Sequence, residues 1–318
     1  MRCLVTGCAG FIGSTLTERL LSLGHLVVGY DNLSTGQESF LRSAREHAGF
    51  RLVRADLLDA QTLTATMREV DFVWHLAANA DVRYGTQHPR RDLEQNTLAT
   101  HNVLEAMRRN GVGRIAFSSS GSVYGEAPLV PTPEDAPFPV QTSLYGASKA
   151  AAEGLLAAYC AGFGFQAWIF RLVSILGERY THGHVLDFYR QLRADGSTLR
   201  VLGNGRQRKS YLYVHDCIDA MLTAVERARG QVNIFNVGCE SSCDVNDSVG
   251  WICAALGVRP HIEYSGGERG WVGDSPVIVL DTTRIRALGW QPRRSIRDAV
   301  LATLEYLRAN PEVVEARQ

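Results

Sequence analysis

The chain has 318 residues, with 33 basic and 33 acidic side chains and a formal net charge of zero. Nucleic-acid-binding proteins usually carry a basic excess that neutralises phosphates, so this balance argues against a nucleic-acid partner. Hydrophobic residues make up 45% and charged residues 21%, which is ordinary for a globular protein. We therefore expect one large folded domain or two modest ones.

Neither a membrane helix nor a signal peptide is expected, because no apolar run approaches the roughly 20 residues of a membrane span. The 7 cysteines are scattered and odd in number, which favours reduced thiols over disulfides. Cys239 and Cys243 form a lone CxxxC, and the histidines show no metal-ligand spacing. These features predict a cytoplasmic protein without a bound metal ion.

Short apolar runs alternate with segments of helical periodicity through the first half of the chain. The predicted strands, with one later run added, are Cys3–Thr6, His25–Tyr30, Leu52–Arg54, Phe72–Leu76, Ile115–Ser118, Trp168–Leu172 and Val232–Val237. The predicted helices are Ile12–Leu23, Thr62–Glu69, Leu93–Asn110 and Ser143–Tyr159. This alternation predicts an α/β fold with a doubly wound parallel sheet of the Rossmann type.

A glycine-rich turn lies between the first predicted strand and the first predicted helix. Gly7, Gly10 and Gly13 form GxxGxxG, in which the absence of Cβ atoms lets a pyrophosphate approach backbone N–H groups. Asp31 ends the second strand, where a carboxylate accepts hydrogen bonds from ribose hydroxyls and repels a 2′-phosphate. The two features predict NAD rather than NADP.

Asp56 follows the third predicted strand, and two interpretations of it stay open. Its carboxylate either binds an adenine amino group or caps the helix that follows.

Tyr145 and Lys149 form a YxxxK motif within a predicted helix. Residues i and i+4 share one helix face, so the ammonium is expected to lower the pKa of the phenol from about 10 toward neutrality. Tyr145 would then exchange protons at physiological pH. The hydroxyl-rich segment Ser118–Gly125 ends the preceding strand, at the ligand-binding edge of an open sheet.

Together these motifs resemble the extended short-chain dehydrogenase/reductases, specifically the nucleotide-sugar epimerase/dehydratase group. The matching segments span nearly the whole chain: Thr6–Gly13, Asp31–Leu33, Ala55–Asp59, His75–Ala78, Asn96, Ser118–Gly125, Tyr145–Lys149, Arg206–Asp216 and Arg269–Asp274. The resemblance implies NAD as cofactor, contacted by Gly7, Gly10, Phe11, Ile12, Gly13, Asp31, Asn32, Ser34, Gly36, Asp56, Leu57, Leu76, Ala77, Ala78, Asn96, Ser118, Tyr145, Lys149 and Val173.

The resemblance also implies a domain division. Residues 1–170 would form the NAD-binding Rossmann domain, with residues 213–238 returning to it. Residues 171–318 would form a smaller C-terminal α/β domain that binds the nucleotide sugar.

The implied activity is that of an isomerase, a nucleotide-sugar 4-epimerase acting on a UDP-hexose or a derivative such as an N-acetyl sugar. Tyr145 would take the proton of a sugar hydroxyl while the hydride on that carbon passes to NAD. The 4-keto sugar would rotate and receive the hydride on its other face. Lys149 would bind the nicotinamide ribose, and Ser120 would bind the reacting oxygen.

Other members of the family are separated at Ser120-Gly121-Ser122. Dehydratases carry Thr-Asp-Glu there, and decarboxylases usually keep a glutamate where Ser122 stands, so both activities are disfavoured. A 4-keto-sugar reductase using NAD(P) and a non-catalytic NAD-binding sensor remain the alternatives. Asp31 favours the epimerase over a reductase, and Tyr145 with Lys149 argues against a sensor.

The substrate contacts that the resemblance implies are Ser120, Ser174, His184, Arg208, Lys209, Arg269 and Asp274. Either Arg208 or Lys209 would hold the diphosphate. Ser174, Trp271 and Ile278 stand where galactose-type epimerases have asparagine, arginine and a bulky tyrosine, which puts simple UDP-galactose specificity in doubt. His184 either lines the sugar site or is an ordinary loop histidine.

A homodimer through a four-helix bundle is also expected from the family. The helices Leu93–Asn110 and Ser143–Tyr159 would form it, with apolar surface from Leu98, Leu104, Met107 and Leu155. The alternative is that these side chains pack onto the chain's own sheet.

Overall fold

The protein is described from a computed structural model that covers residues 1–137, 140–271, 274–275 and 277–315, except for the side chains of residues 83 and 84. Val272 and Gly273, which belong to the predicted segment Arg269–Asp274, lie outside the described residues.

Strands and helices alternate regularly through the first half of the chain. The strands are β1 Arg2–Thr6, β2 Leu26–Asp31, β3 Phe50–Arg54, β4 Phe72–His75, β5 Arg114–Ser120, β6 Gln166–Leu172, β7 Ser174–Leu176, β8 Thr198–Val201, β9 Arg208–Lys209, β10 Tyr211–Tyr213, β11 Val232–Val237, β12 Cys243–Asp244, β13 His261–Tyr264 and β14 Val277–Ile278. The α-helices are α1 Phe11–Ser22, α2 Arg42–Arg45, α3 Ala60–Thr66, α4 Val82–Gln87, α5 Pro89–Asp92, α6 Ala99–Asn110, α7 Leu144–Phe163, α8 His184–Ala194, α9 Val214–Arg227, α10 Val245–Leu256, α11 Thr283–Ala287, α12 Ile296–Ala309 and α13 Pro311–Glu315. Short 3₁₀ turns cover Glu38–Leu41 and Gly121–Tyr124, and a π-helical segment covers Leu93–Leu98.

Seven strands form one sheet in the order β11-β6-β5-β4-β1-β2-β3. The pairs β1–β2, β2–β3, β1–β4 and β4–β5 are parallel. Strand order reverses between β1 and β4, which is where open α/β sheets bind ligands at the carboxyl ends of their strands. This sheet confirms the predicted α/β class, and each predicted strand is present in it with ends shifted by a residue or two.

The core of the sheet is formed by strand residues that are buried on both faces, which is what a parallel sheet covered by helices requires. Leu4 and Ile115 are completely buried, and helix residues pack against them. Leu104 and Met107 on α6 belong to this same core. The prediction that these two side chains supply an external apolar surface is therefore wrong, because α6 turns them toward its own sheet. Leu155 is partly buried against the core, and Leu98 is exposed.

The chain divides into two compact units. The first contains residues 1–123, 144–171 and 221–235, and the second contains residues 124–143, 172–220 and 236–318. Three small sheets belong to the second unit, with the strand pairings β10–β7, β12–β9–β14 and β13–β8. All seven cysteines are unpaired thiols. Within the described part of the chain, no helix has the length and apolarity to cross a membrane.

Candidate active site

The glycine-rich turn follows β1 in the first unit and is too tight for side chains. Gly7 has φ +70°, and a Cβ there would meet the Ala77 Cα at 2.8 Å. A Cβ at Gly13 would meet the Gly7 carbonyl oxygen at 2.0 Å. Gly10 is the N-cap of α1 and, having no side chain, makes no side-chain cap hydrogen bond to the first turn. This end of α1 has the character of an anion-binding site.

Asp31 stands at the end of β2, beside the turn. Its two carboxylate oxygens accept the backbone N–H groups of Ala9 at 2.9 Å and Leu33 at 2.8 Å. These bonds hold the carboxylate in place and leave each oxygen a second lone pair for a ligand hydroxyl. Burial raises the pKa of Asp31, and the two backbone bonds oppose that shift. A Cβ at Gly36 would come within 3.0 Å of Asp31 Oδ1, so the following loop lies close to this carboxylate.

Asp56 lies in the loop after β3. Its Oδ2 accepts Asn32 Nδ2 at 2.7 Å, and its Oδ1 accepts the Leu58 backbone N–H at 2.9 Å. The following helix α3 is capped by Asp59, which accepts the Thr62 backbone N–H. The capping interpretation of Asp56 is therefore wrong, because the helix starts later than its position requires. Binding of adenine by Asp56 stays a prediction.

The remaining cofactor residues predicted in the first unit lie on loops after β2, β3 and β4, all at the carboxyl edge of the sheet. They are Ser34, Leu57, Leu76, Ala77 and Ala78. Thr6 accepts the backbone N–H groups of Leu76 and Ala77 through its hydroxyl at 3.2 and 3.3 Å, which ties this loop to the end of β1. Val173, also predicted, lies in the second unit, where its N–H donates to Val237 O.

Tyr145, Lys149 and Ser120 come together in the first unit. Lys149 is fully buried on α7, and its Nζ donates to the Ser118 carbonyl oxygen at 2.9 Å and lies 6.0 Å from the centre of the Tyr145 ring. Ser120, the last residue of β5, hydrogen-bonds to Tyr145. The Ser120 hydroxyl also lies 3.2 Å from Ser122 Oγ. The phenol, the hydroxyl and the ammonium thus form one acid–base group at the sheet edge.

The direction of the tyrosine shift differs from the sequence expectation. Burial raises the pKa of Tyr145 to about 12, although the hydrogen bond from Ser120 opposes this shift. Burial also lowers the pKa of Lys149 to about 7. The expected depression by Lys149 is absent because burial outweighs it, and because a lysine with a pKa of about 7 has lost its proton before the Tyr145 phenol ionises.

A buried ion pair lies on the same face of α7 as Lys149. The Glu153 carboxylate accepts Arg171 Nη2 at 2.7 Å and the Ser119 hydroxyl at 2.5 Å, and both charged side chains are at most 5% exposed. This network joins α7 to β5 and β6 beside the candidate acid–base group. Sequence analysis missed Glu153, although its i+4 spacing from Lys149 was an available signal.

The predicted cofactor residue Asn96 lies in the π-helical segment and is engaged inside the protein. Its Nδ2 donates to Ser148 Oγ at 2.9 Å and to Asp92 Oδ1 at 3.3 Å, and its Oδ1 accepts the Asn79 N–H at 2.8 Å. Asp92 is 1% exposed and was not singled out from the sequence. Its i, i+4 spacing from Asn96, which was predicted, is the sequence signal that pointed to Asp92.

His75 ends β4 and is buried in a hydroxyl network. Its ring nitrogens lie 2.7 Å from Thr6 Oγ1 and 3.0 Å from Thr100 Oγ1. Burial lowers the pKa of His75 to about 3, so the ring is neutral at physiological pH. This histidine supports the strand ends rather than carrying charge.

In the second unit, Lys209, Asp274 and Trp271 form a compact cluster. Lys209 Nζ lies 2.5 Å from Asp274 Oδ1 and 4.8 Å from the centre of the Trp271 ring, and the Asp274 side chain is 2% exposed. Arg269 Nη1 donates to the Asp274 carbonyl oxygen at 3.2 Å and its guanidinium pairs with Glu126. Asp274 thus contacts two cations, Lys209 and Arg269, that were both among the predicted substrate contacts.

Arg208 and Lys209 are adjacent on β9 but differ in surroundings. Arg208 is exposed and donates to Ser242 Oγ at 2.7 Å. Ser174, at the start of β7, is exposed, and Ile278 pairs with Lys209 in the strand register.

Lys149 and Lys209 are the only two lysines in the 318 residues, and each belongs to one of the two candidate sites.

His184 is the first residue of α8, so the interpretation as a loop histidine is wrong. Its Nε2 lies 2.8 Å from Ser248 Oγ, and its ring packs against Tyr211 at 4.9 Å between centroids. Burial lowers the pKa of His184 to about 3, and the charge of Lys209 acts in the same direction. The neutral ring offers hydrogen bonding without charge near Lys209.

The first unit fits NAD on steric and chemical grounds. The Gly7–Gly13 turn leaves backbone room for a pyrophosphate at the start of α1, and Asp31 offers lone pairs at the end of β2. Lys149 retains donors beyond its bond to Ser118 for a ribose.

Comparison with known proteins identifies the family. The model of the NAD dependent epimerase/dehydratase family matches residues 3–238. Over 315 residues the chain is 36% identical to a UDP-glucose 4-epimerase of Mycolicibacterium smegmatis, covering 97% of this chain and 99% of that protein. A crystal structure of a UDP-galactose 4-epimerase is 38% identical with a TM-score of 0.88, covering 98% and 99% of the two chains. A UDP-glucose 4-epimerase of Thermus thermophilus in complex with NAD is 32% identical with a TM-score of 0.85, covering 97% and 99%. The chain belongs to the NAD dependent epimerase/dehydratase family.

Proposed function

We propose that the protein is an NAD-dependent nucleotide-sugar epimerase that inverts carbon 4 of a UDP-hexose or a close derivative through a 4-keto sugar. The observation that carries the proposal is the group formed by Tyr145, Ser120 and Lys149 at the carboxyl edge of the sheet. The names of its relatives, UDP-glucose and UDP-galactose 4-epimerases, support the same reaction.

In this mechanism Tyr145 accepts the proton of the sugar 4-hydroxyl and returns it after the keto sugar has rotated to present its other face. Ser120 hydrogen-bonds the reacting oxygen, and Lys149 holds the cofactor ribose and, in its protonated form, stabilises the phenolate of Tyr145. NAD, when bound, supplies a reversible hydride acceptor together with a positive charge that favours the phenolate. No net redox change accompanies the reaction.

The segment between Ser120 and Tyr124 distinguishes the epimerase from a dehydratase. Water elimination requires an additional acid and base beside the sugar. This segment offers the hydroxyls of Ser120 and Ser122 and no carboxylate. The epimerase needs only the single acid–base group that Tyr145 provides.

In the second unit we assign the diphosphate to Lys209 rather than to the more exposed Arg208, with Arg269 as an additional cation. His184 and Ser174 are proposed to contact the sugar or nucleotide. Ile278 in place of a bulky gate residue suits a larger substituent, such as an N-acetyl group.

The test begins with mass-spectrometric identification of dinucleotide released from the purified protein, followed by a panel of UDP-sugars. Interconversion of two epimers without net NADH is expected. NADH consumed in proportion to product would indicate a reductase, and inactivity across the panel with NAD bound would indicate a sensor.

The decisive variant is Tyr145→Phe, which should lower turnover by roughly 10²–10⁴-fold while NAD stays bound, since the phenol is the proton carrier. Tyr159→Phe on the same helix is the matched control, because its hydroxyl bonds only the side chains of Glu105 and His101. Full activity of Tyr145→Phe would refute the mechanism.

We also propose a homodimer through α6, α7 and their partner copies, with Leu98 and Phe163 as exposed apolar contacts. Light scattering that gives a clean monomer would contradict it. Seven unpaired cysteines favour a location in the reducing cytoplasm. The proposed reaction places the protein in carbohydrate metabolism, including the supply of sugars for polysaccharides.

A further inference from the structure

Asp92 is a buried carboxylate beside the acid–base group. It ends α5 directly before the π-helical segment and is 1% exposed. Its Oδ1 accepts Asn79 Nδ2 at 2.8 Å and Asn96 Nδ2 at 3.3 Å. Its Oδ2 is buried without a hydrogen-bond partner among the described residues. An ionised carboxylate in this position requires a nearby positive charge.

Asp92 is closely enclosed by its neighbours. Gly85 on α4 lies against the carboxylate, and a Cβ there would meet Oδ2 at 2.0 Å. On the other side, Asn96 links Asp92 to Ser148 on α7, and Ser148 Oγ donates to the Tyr145 carbonyl oxygen at 2.8 Å. The π-helical segment places Asn96 for both bonds, and such segments are frequent at functional sites.

Lys149 is the buried cation whose charge interacts with Asp92, and it follows directly after Ser148, which Asn96 links to Asp92. Among the described residues, two carboxylates stabilise the charged form of the Lys149 ammonium. They are Glu153, on the same helix, and Asp92, on α5. Glu153 is already neutralised by Arg171 at 2.7 Å. His75 on β4 is neutral, so it adds no charge to this environment. Across the described ranges of the chain, Asp92 is therefore the carboxylate acting on Lys149 that has no other cation as its partner, and the negative charge of Asp81 also acts on Asp92.

We propose that Asp92 is a positioning residue that serves as the buried counter-charge of Lys149, held in place by Asn79 and Asn96. It deepens the proposed function, since it rests on Lys149 as the partner of Tyr145. Asp92 keeps Lys149 protonated in its buried position. The negative charge of Asp92 also opposes ionisation of Tyr145. Asp92 therefore raises the pKa of both Lys149 and Tyr145.

The test uses Asp92→Asn, which removes the charge but not the hydrogen bonds. Both amide donors bind Oδ1, so an asparagine oxygen can accept them while its NH₂ replaces the unpartnered Oδ2. Because the chain has only two lysines, protein labelled with [13Cε]-lysine gives two Cε signals, assigned with Lys209→Arg.

The expected result is that Asp92→Asn lowers the titration midpoint of Lys149 by about one pH unit while that of Lys209 stays in place. Glu94→Gln, which removes the charge two residues further along the chain that pairs with Arg90, should move neither signal. Asp92→Ser, smaller and neutral, should shift Lys149 in the same direction and covers the case in which Asp92→Asn does not fold. An unchanged Lys149 midpoint in a folded variant overturns the proposal.

This measurement needs no substrate, so its failure is distinct from failure of the proposed function. In active enzyme a second readout follows. Both limbs of the pH profile of kcat should move toward lower pH in Asp92→Asn, because the pKa values of Tyr145 and Lys149 both fall. A purely structural role would lower kcat without moving the limbs.

Discussion

The Lys149 ammonium donates to the Ser118 carbonyl oxygen at 2.9 Å. This bond ties helix α7 to the end of β5. The same strand end carries Ser119, bonded to Glu153, and Ser120, bonded to Tyr145. Three successive residues of one strand thus contact three successive turns of α7. This arrangement aligns the phenol, the ammonium and the hydroxyl with little freedom left to lose when substrate binds.

Replacing Lys149 by methionine should abolish turnover and remove one pH-dependent contribution to the stability of the cofactor-free protein. The pKa of Lys149 is about 7 when folded, well below its ordinary value. Between about pH 7 and pH 10 the unfolded chain therefore binds a proton that the folded chain does not, so the free energy of unfolding rises with pH. The destabilisation from Lys149 is largest below about pH 7 and vanishes above about pH 10.

Denaturant unfolding at several pH values checks this sign. The stability of wild type relative to Lys149→Met should rise between about pH 7 and pH 10, because only the wild-type chain takes up an extra proton on unfolding in that range. A constant difference across that range would contradict a depressed lysine pKa.

Replacing Ser120 by alanine should lower kcat by roughly 10²-fold, because the hydroxyl is proposed to bind the reacting oxygen. KM should change little, since most of the substrate contacts remain. Ser122→Ala is the matched control at the same turn and should stay near wild-type activity. Equal losses in the two variants would assign the effect to the turn rather than to Ser120.

Replacing Glu153 by glutamine should leave Arg171 buried without its counter-charge. Breaking a buried ion pair in this way costs roughly 3–5 kcal/mol of stability, so the melting temperature should fall clearly. Glu263→Gln removes one partner of the exposed pair with Arg200 at 3.1 Å and should change stability by less than about 1 kcal/mol. Calorimetry of both variants tests the comparison, and equal melting temperatures would contradict it.

Replacing Lys209 by methionine should raise KM for a nucleotide sugar by roughly 10–100-fold, the loss of one charge-assisted hydrogen bond. The effect on kcat should be smaller, since Lys209 is proposed to bind the diphosphate and not the reacting carbon. Lys209→Arg should recover most of the affinity, and the exposed Arg208→Gln should cost less than Lys209→Met. A larger loss in Arg208→Gln would reverse the assignment.

Elements close in sequence were predicted best. The GxxGxxG turn, the acidic residue at the end of β2 and the YxxxK pair depend on spacing within one strand–turn–helix unit. Contacts between segments that are far apart in the sequence were predicted less well. For Leu104 and Met107 the sequence left a dimer surface and the chain's own sheet as alternatives, because helical periodicity identifies an apolar face but not the partner that covers it.

The sequence by itself determined the alternation of strands and helices, the tight glycine-rich turn and the placement of Tyr145 and Lys149 on one helix face, because each depends on local spacing and backbone sterics. Tertiary structure decided the pKa values of Tyr145 and Lys149, and therefore their protonation states. Burial raises the pKa of Tyr145 and lowers that of Lys149, and the charges that modulate both come from Asp92 on another helix and from Glu153. Desolvation and counter-charge depend on which segments pack together, and no spacing within one segment specifies that. The zero net charge of the chain likewise conceals single buried charges at these sites.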